Sequence, residues 1–199
     1  GRIHTRSTYS QYVSVINEEL TMTWKSFHNR GETLRAVIET ANTRLDARLP
    51  MDVDGVAETF GDELTLLGAL QLKWHTRLSG HVEQQLLSQP MDLERAVVAA
   101  WIAAYDELPG VRALLDHYRS HPLDDEMGWA MARATVKERV LMATMAGQSG
   151  IGDLAGAPIG ARIEESARAT RAARPVPTVH TLAPQRPSFM DRLRSVLAA

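Results

Sequence analysis

Histidines with nearby carboxylates are the residues of this chain whose types are suited to acid–base chemistry. His75 follows Trp74 on the predicted central helix. Its possible carboxylate partners are Asp62 or Glu63 from an earlier turn and Glu83 from a later one. A histidine that shares a pocket with a carboxylate has the arrangement of a general base. Trp74, His75 and Glu63 are therefore the candidate ligand pocket of the sequence. The alternative that we favour is a partly buried histidine held by hydrogen bonds.

Metal-binding patterns are incomplete. His117 and His121 are four residues apart, a spacing that places two ligands on one helix face, but two ligands do not make a site. Asp52, Asp54 and Gly55 resemble part of a calcium loop. Aligning Gly55 with the sixth position of that loop puts Pro50 at the first and Gly61 at the twelfth, where acids are needed. We predict no catalytic residue, no metal and no cofactor.

Composition excludes several classes of protein. The chain has no cysteine, which rules out disulfides and thiolate chemistry. Residues 1–150 carry 15 basic and 20 acidic side chains, whereas residues 151–199 carry 7 and 4. An acidic body argues against nucleic-acid binding by that part of the chain. No apolar run of about 18 residues predicts a transmembrane helix, so we expect a soluble, cytoplasmic protein.

Apolar residues recur at three- and four-residue steps, the spacing of helices. This periodicity predicts helices over 9–29, 32–49, 56–87, 92–107, 110–120 and 124–146, with Gly31 ending the first. No stretch has the alternation of a strand. The expected fold is all-α: one bundle-like domain of about six helices. We assign the methionines of 127–145 to its core, with an adaptable binding groove as the alternative. The tryptophans fall one to a helix and are expected at the centre of that core: Trp24, Trp74, Trp101 and Trp129.

The composition changes after Gly147. Residues 148–160 are rich in glycine, 161–173 have the pattern of a polar helix, and 174–187 contain four prolines. Little in this stretch is able to bury a core, which favours an extended chain. The predicted division is a helical body over 1–147, a flexible or extended linker over 148–187 and a terminal helix over 188–199.

The last residues have the pattern of a docking helix. Ser188 and Asp191 resemble a capping box, and one helical face carries Phe189, Leu193, Val196 and Leu197. Such a face needs a groove on another protein, on a sister copy or on this body. The predicted partner-binding residues are the apolar face with its neighbours: Phe189, Met190, Arg192, Leu193, Arg194, Val196 and Leu197. The arginines also permit contact with an anionic membrane surface.

These features indicate an interaction protein. The leading hypothesis is a non-catalytic adaptor or scaffold of a larger assembly, which binds partners through its body and its terminal helix. The alternative is a helical enzyme or small-ligand-binding protein with a pocket near His75, and a helical regulator is a third hypothesis.

Overall fold

The computed structural model describes residues 4–88 and 91–174, and it is built from helices. They are α1 (His4–Arg44), α2 (Val56–Phe60), α3 (Glu63–Ser88), α4 (Leu93–Glu107), α5 (Pro109–Ser120), α6 (Asp125–Met145) and α7 (Ala157–Ala172), with a 3₁₀ turn at Leu154–Gly156 before α7. No strand occurs within these two ranges. The prediction of an all-α protein is confirmed.

Helix starts follow the capping signals of the sequence. The side chain of Asp92 accepts a hydrogen bond from the Arg95 backbone N–H at the start of α4, and Asp124 accepts one from Met127 at the start of α6. Pro109 occupies the first turn of α5, where a missing N–H costs nothing. Boundaries predicted from these residues agree with the structure to within one or two positions.

The core lies between α3 and α4, with α1, α5, α6 and α7 around them. Trp74 of α3 and Trp101 of α4 are fully buried at its centre, and their rings meet edge to face at a centroid distance of 5.8 Å. Leu66, Leu70 and Leu78 of α3 are also fully buried. The broad apolar arc of α3 is thus used on several sides, as expected for a central helix.

Two predicted helix boundaries were wrong. Gly31 does not end a helix, since α1 continues through it to Arg44. A glycine inside a helix costs only about 1 kcal/mol, which the surrounding turns tolerate. Gly61, in contrast, adopts φ +79° and separates α2 from α3, after which Asp62 caps α3 by accepting from the Thr65 N–H at 2.7 Å. Residues 56–87 therefore form two helices and not one.

The predicted linker contains a packed helix. Ile163 and Ala167 of α7 are fully buried in the same core as Trp74 and Trp101. The polar helix expected over 161–173 is present, but the extended character predicted for 148–187 is wrong for residues 157–172. The apolar residues of α7 are few and small, so its sequence resembles that of a solvated segment. Residues 175–187 lie outside the described part of the chain.

No helix in the described ranges is long and apolar enough to cross a membrane.

Candidate functional site

The first half of α1 projects from the body. The helix has 41 residues, about 61 Å at 1.5 Å per residue. Among its described side chains, the buried ones are Val37, Ile38 and Ala41. Every described side chain from position 14 to position 32 is exposed. Among these, Arg30 is the first that bonds to another element, through the Thr59 carbonyl at 3.3 Å. The body therefore holds α1 by its C-terminal third.

This projecting half, residues 4–29, exposes apolar side chains. Leu20 is 63% exposed, Met22 73% and Val15 53%. Because these side chains remain in water, their apolar surface contributes no hydrophobic stabilisation to the protein alone. Exposed apolar side chains on a helix are the contacts that a helix makes when it packs into a groove of another protein.

Intrinsic helix propensity gives residues 4–29 little support. The chain has no alanine before Ala36, and seven of these 26 residues are β-branched. Residues of this kind lose side-chain freedom in a helix, and most helical stability in proteins comes from packing. The body supplies no such packing to the described side chains of this segment.

Arginines of α7 hold it against the acidic body. Arg162 bonds Glu94 at 2.7 Å, and Arg168 bonds Asp116 at 2.8 Å. Arg171 and Arg174 both bond Asp106 at 2.8 Å. The arginines of residues 151–174 therefore neutralise carboxylates of the same molecule. The excess of acidic side chains before residue 150 and of basic ones after it is the sequence feature that indicates this internal pairing.

Aromatic side chains of α4 face the same arginines. The guanidinium of Arg168 lies 4.9 Å from the centre of the Trp101 ring, and that of Arg171 lies 3.7 Å from the Tyr105 ring. Cations above aromatic faces are attracted by the ring quadrupole. Since the contacts advance together along both helices, from Glu94 with Arg162 to Asp106 with Arg174, α4 and α7 run in the same direction.

A buried ion pair lies beneath these contacts. Arg112 of α5 is fully buried, and its Nη1 donates to Glu138 of α6, which is 1% exposed, at 3.2 Å. Its Nε donates to Asp116 at 3.0 Å. Two charges in a core need such partners because desolvation is expensive. The pair joins α5 to α6.

Glu164 of α7 is shared by three arginines. Arg168 lies 2.8 Å from its carboxylate, Arg119 3.0 Å and Arg139 3.2 Å. Burial alone would raise the pKa of Glu164, but the charge of Arg119 and the hydrogen bond from Arg168 outweigh it and lower the pKa to about 2. The carboxylate is therefore ionised over the whole physiological range and joins α5, α6 and α7.

An open groove of about 650 Å³ lies beside Glu164. Its walls include Arg119, Arg139, Arg162 and Arg168, which already bond carboxylates of the body. These ion pairs hold α7 against its neighbouring helices. Each of the four arginines already has a carboxylate partner within the molecule.

The residues of the predicted pocket are not brought together. Trp74 is fully buried and faces Arg112, whose guanidinium lies 4.7 Å from its ring centre. Glu63 is exposed in the first turn of α3, twelve residues and about 18 Å before His75 along the helix. His75 lines a separate groove of about 390 Å³ together with Arg133 and Lys137 of α6. The groove is basic and carries none of the predicted carboxylates.

Other residues from the sequence have structural positions. His117 and His121 stack at a centroid distance of 5.2 Å on the exposed end of α5. Asp52 pairs with Arg44 at 2.7 Å in the loop after α1. Trp129 is 70% exposed on α6, so its predicted place in the core is wrong; it stands one turn from the helix start and on the outer face. The side chain of Trp24 lies outside the described part of the structure.

The predicted docking residues Phe189, Met190, Arg192, Leu193, Arg194, Val196 and Leu197 lie outside the described residues. Within 4–88 and 91–174, no group of three or more histidine, aspartate or glutamate side chains is arranged to hold a metal ion. Comparisons of this chain with protein-family models, with curated proteins and with solved structures find no match.

Proposed function

We propose that this protein is a non-catalytic adaptor or scaffold component of a larger protein assembly. In this proposal the packed body of α2–α7 with the end of α1 is the structural core. The projecting half of α1 and the C-terminal segment 188–199 are the elements that bind partners.

One observation carries the proposal. The projecting half of α1 has exposed Val15, Leu20 and Met22, low intrinsic helix propensity and no packing from the body for its described side chains. A helix with these properties is stabilised when an apolar surface covers it. That requirement points to protein–protein recognition.

The C-terminal segment is the second binding element of the proposal. It rests on the sequence pattern of residues 188–199, in which Phe189 and Leu193 share a helical face. A segment of about ten residues is too short to persist as an isolated helix, so it needs a groove. Fully burying such side chains is worth roughly 1.5–3 kcal/mol each.

Quantitative co-purification tests the proposal. The full-length tagged protein is purified from its native host, and the proteins that accompany it in fixed stoichiometry are measured by mass spectrometry. We expect the loss of a partner in Phe189→Ala/Leu193→Ala, with binding weakened on the order of a hundredfold or more. Arg192→Ala is the matched control on the same segment, and its smaller effect should depend on salt.

The test has a clear contrary result. A full-length protein that is recovered without any stoichiometric partner, from several growth conditions and at low salt, contradicts an adaptor. If a partner co-purifies in the same amount with the wild type and with the double variant, the C-terminal segment does not bind that partner.

A second candidate function is a small-ligand-binding protein or enzyme with its site at His75. The groove that His75 forms with Arg133 and Lys137 favours it, because two cations beside an imidazole suit an anionic ligand. His75→Ala and Lys137→Ala distinguish the candidates. The adaptor requires that both variants retain every partner, whereas the alternative requires that a small anion which stabilises the wild type against heat no longer does so in the variants.

A further inference from the structure

We propose that the groove beside Glu164 binds a phosphate group through Arg119 and Arg139. The groove lies where α5, α6 and α7 meet, and its volume of about 650 Å³ leaves room for a phosphate that is attached to a small organic group. This site is independent of the partner-binding elements of the proposed function. It also shares no lining residue with the groove at His75.

The arginines around the groove outnumber their carboxylate partners. Four connected cations contact three anions, namely Arg112, Arg119, Arg139 and Arg168 against Asp116, Glu138 and Glu164. The connected set therefore has a surplus of one positive charge. Within the described part of the chain, Glu164 is the only carboxylate that Arg119 or Arg139 contacts, so the surplus lies at these two arginines.

These two arginines also retain unused hydrogen-bond donors. Arg119 bonds Glu164 through Nη1, and Arg139 bonds it through Nε. Among the residues that the structure describes, no acceptor is bonded to Nη2 of Arg119 or to either terminal nitrogen of Arg139. Arg168, in contrast, uses all three of its nitrogens on Asp116 and Glu164. The donors that remain for a ligand are thus those of Arg119 and Arg139.

Two guanidinium groups that reach one place from different helices suit a tetrahedral oxyanion. Arg119 comes from α5 and Arg139 from α6, and they lie 3.0 Å and 3.2 Å from the same carboxylate. A carboxylate ligand is planar and matches the fork of one arginine, whereas phosphate has acceptor oxygens in several directions. One phosphate group is therefore able to bond both arginines.

One carboxylate on the wall of the groove opposes anion binding. Glu165 is exposed, so its charge is strongly screened by water and salt. The side chains of Arg119 and Arg139 are only 21% and 33% exposed, and buried charges are screened much less. We therefore expect the attraction of the two arginines to outweigh the repulsion from Glu165.

Isothermal titration calorimetry of the full-length protein with inorganic phosphate and with pyrophosphate tests the site. At constant ionic strength we expect one bound anion per chain, with acetate binding much more weakly. Arg139→Gln should weaken phosphate binding by about tenfold or more, because it removes charged hydrogen bonds. Arg133→Gln is the matched control. It removes the same side chain from the same helix, but Arg133 lines the groove at His75, so binding should be unchanged.

A second pair of variants leaves every arginine in place. Ala161 lines the groove, and Ala161→Glu puts a carboxylate there, which should abolish phosphate binding. Glu165→Gln removes the opposing charge and should strengthen binding. Circular dichroism checks that both variants keep the helical fold. Opposite changes in affinity at these two positions separate binding in the groove from a loss of folding in Arg139→Gln.

Vesicles distinguish a soluble phosphate from a lipid headgroup. Sedimentation with phosphatidylcholine vesicles that contain phosphatidic acid presents the same group on a membrane. We expect the protein to stay in solution, because residues 1–150 carry 20 acidic against 15 basic side chains and an anionic surface repels them. Vesicle binding that Arg139→Gln removes would keep the phosphate site and assign it to a headgroup.

Three results overturn the inference. The first is no binding of either phosphate anion at millimolar concentration, by calorimetry or by a rise in the thermal midpoint. The second is an acetate affinity equal to that of phosphate. The third is a loss of binding in Arg133→Gln that matches or exceeds the loss in Arg139→Gln, which would place the anion at His75. None of them bears on the adaptor, whose proposed contacts are made by α1 and the C-terminal segment.

Discussion

The guanidinium of Arg112 lies over the ring of Trp74, 4.7 Å from its centre, and both side chains are fully buried. The charge at this position is met by Glu138, also buried, from the neighbouring helix. A cation in the middle of the apolar core is thus held between an aromatic face and a carboxylate. The aromatic face and the carboxylate together compensate for the desolvation of the buried guanidinium.

Removing one member of this pair should be costly. We expect Glu138→Leu to lower the free energy of unfolding by about 3–5 kcal/mol, because it removes the buried carboxylate of the pair and leaves Arg112 with Asp116, which is partly exposed, as its acidic partner. The double variant Arg112→Leu/Glu138→Leu should recover most of that loss. Urea unfolding followed by circular dichroism measures both. A double variant that is less stable than Glu138→Leu would show that the aromatic contact of Arg112, and not the ion pair, dominates.

Acid should weaken the contact of α7 with the body through Glu164. Its folded pKa of about 2 lies below the ordinary value of 4.5, so its stabilisation is complete above about pH 5 and is lost as the pH falls towards 2. The advantage of the wild type over Glu164→Gln should shrink by about 3 kcal/mol across this range. Glu165→Gln, one residue along and exposed, is the control, and its stability should follow that of the wild type. Parallel curves for wild type and Glu164→Gln would contradict the assignment.

A close helix crossing makes Gly160 irreplaceable. A Cβ at this position of α7 would overlap the Arg139 backbone of α6. Gly160→Ala should therefore force the helices apart and cost more than about 2 kcal/mol. Gly80, inside α3, has open space where an alanine methyl group would lie, with nothing within 4 Å, so Gly80→Ala should stabilise by about 0.5–1 kcal/mol. Thermal unfolding of both variants provides the comparison, and equal effects would exclude the crossing as the cause.

Truncation should locate the end of the cooperative unit. A chain ending at Arg174 should unfold in one transition with the same midpoint as the full-length protein. A chain ending at Gly150 loses the buried Ile163 and Ala167 and leaves Glu94 and Asp106 without the arginines that bond them. We expect it to unfold in a broad, early transition by circular dichroism. A sharp transition at the original midpoint would mean that α7 adds nothing to the core.

Local signals in the sequence were enough to place most helices. Asp92, Pro109 and Asp124 mark helix starts by direct hydrogen bonding or by a fixed backbone angle, and these act without tertiary context. Gly31 and Gly61 show the limit of such reasoning. The same residue type continues a helix at one position and ends it at the other, because only at Gly61 does the chain adopt a positive φ to reach the next element.

The contacts of α7 and the surroundings of His75 could not be predicted from the sequence pattern. A helix in which Ile163 is the only large apolar residue that is buried looks polar. Its attachment depends on carboxylates of α4 and α5 and on arginines of α5 and α6, which are distant in sequence. His75 and Glu63 were grouped by proximity along the chain, but the straight path of α3 separates them. Trp129 was assigned to the core by residue type alone, although its position on the outer face of α6 leaves it exposed.

The division of α1 also separates two kinds of evolutionary constraint. Substitutions at Val37, Ile38 or Ala41 reduce the stability of the fold, since these side chains belong to the core. Substitutions at the described positions between Ser14 and Lys25 remove no contact with the body, because those side chains are exposed. In the proposed function, association is what limits their variation. If related chains keep the apolar character of position 20 while the rest of the extension varies, the selection that preserves it acts on association and not on the fold. The extension is therefore the part of the molecule where a new partner is most easily acquired.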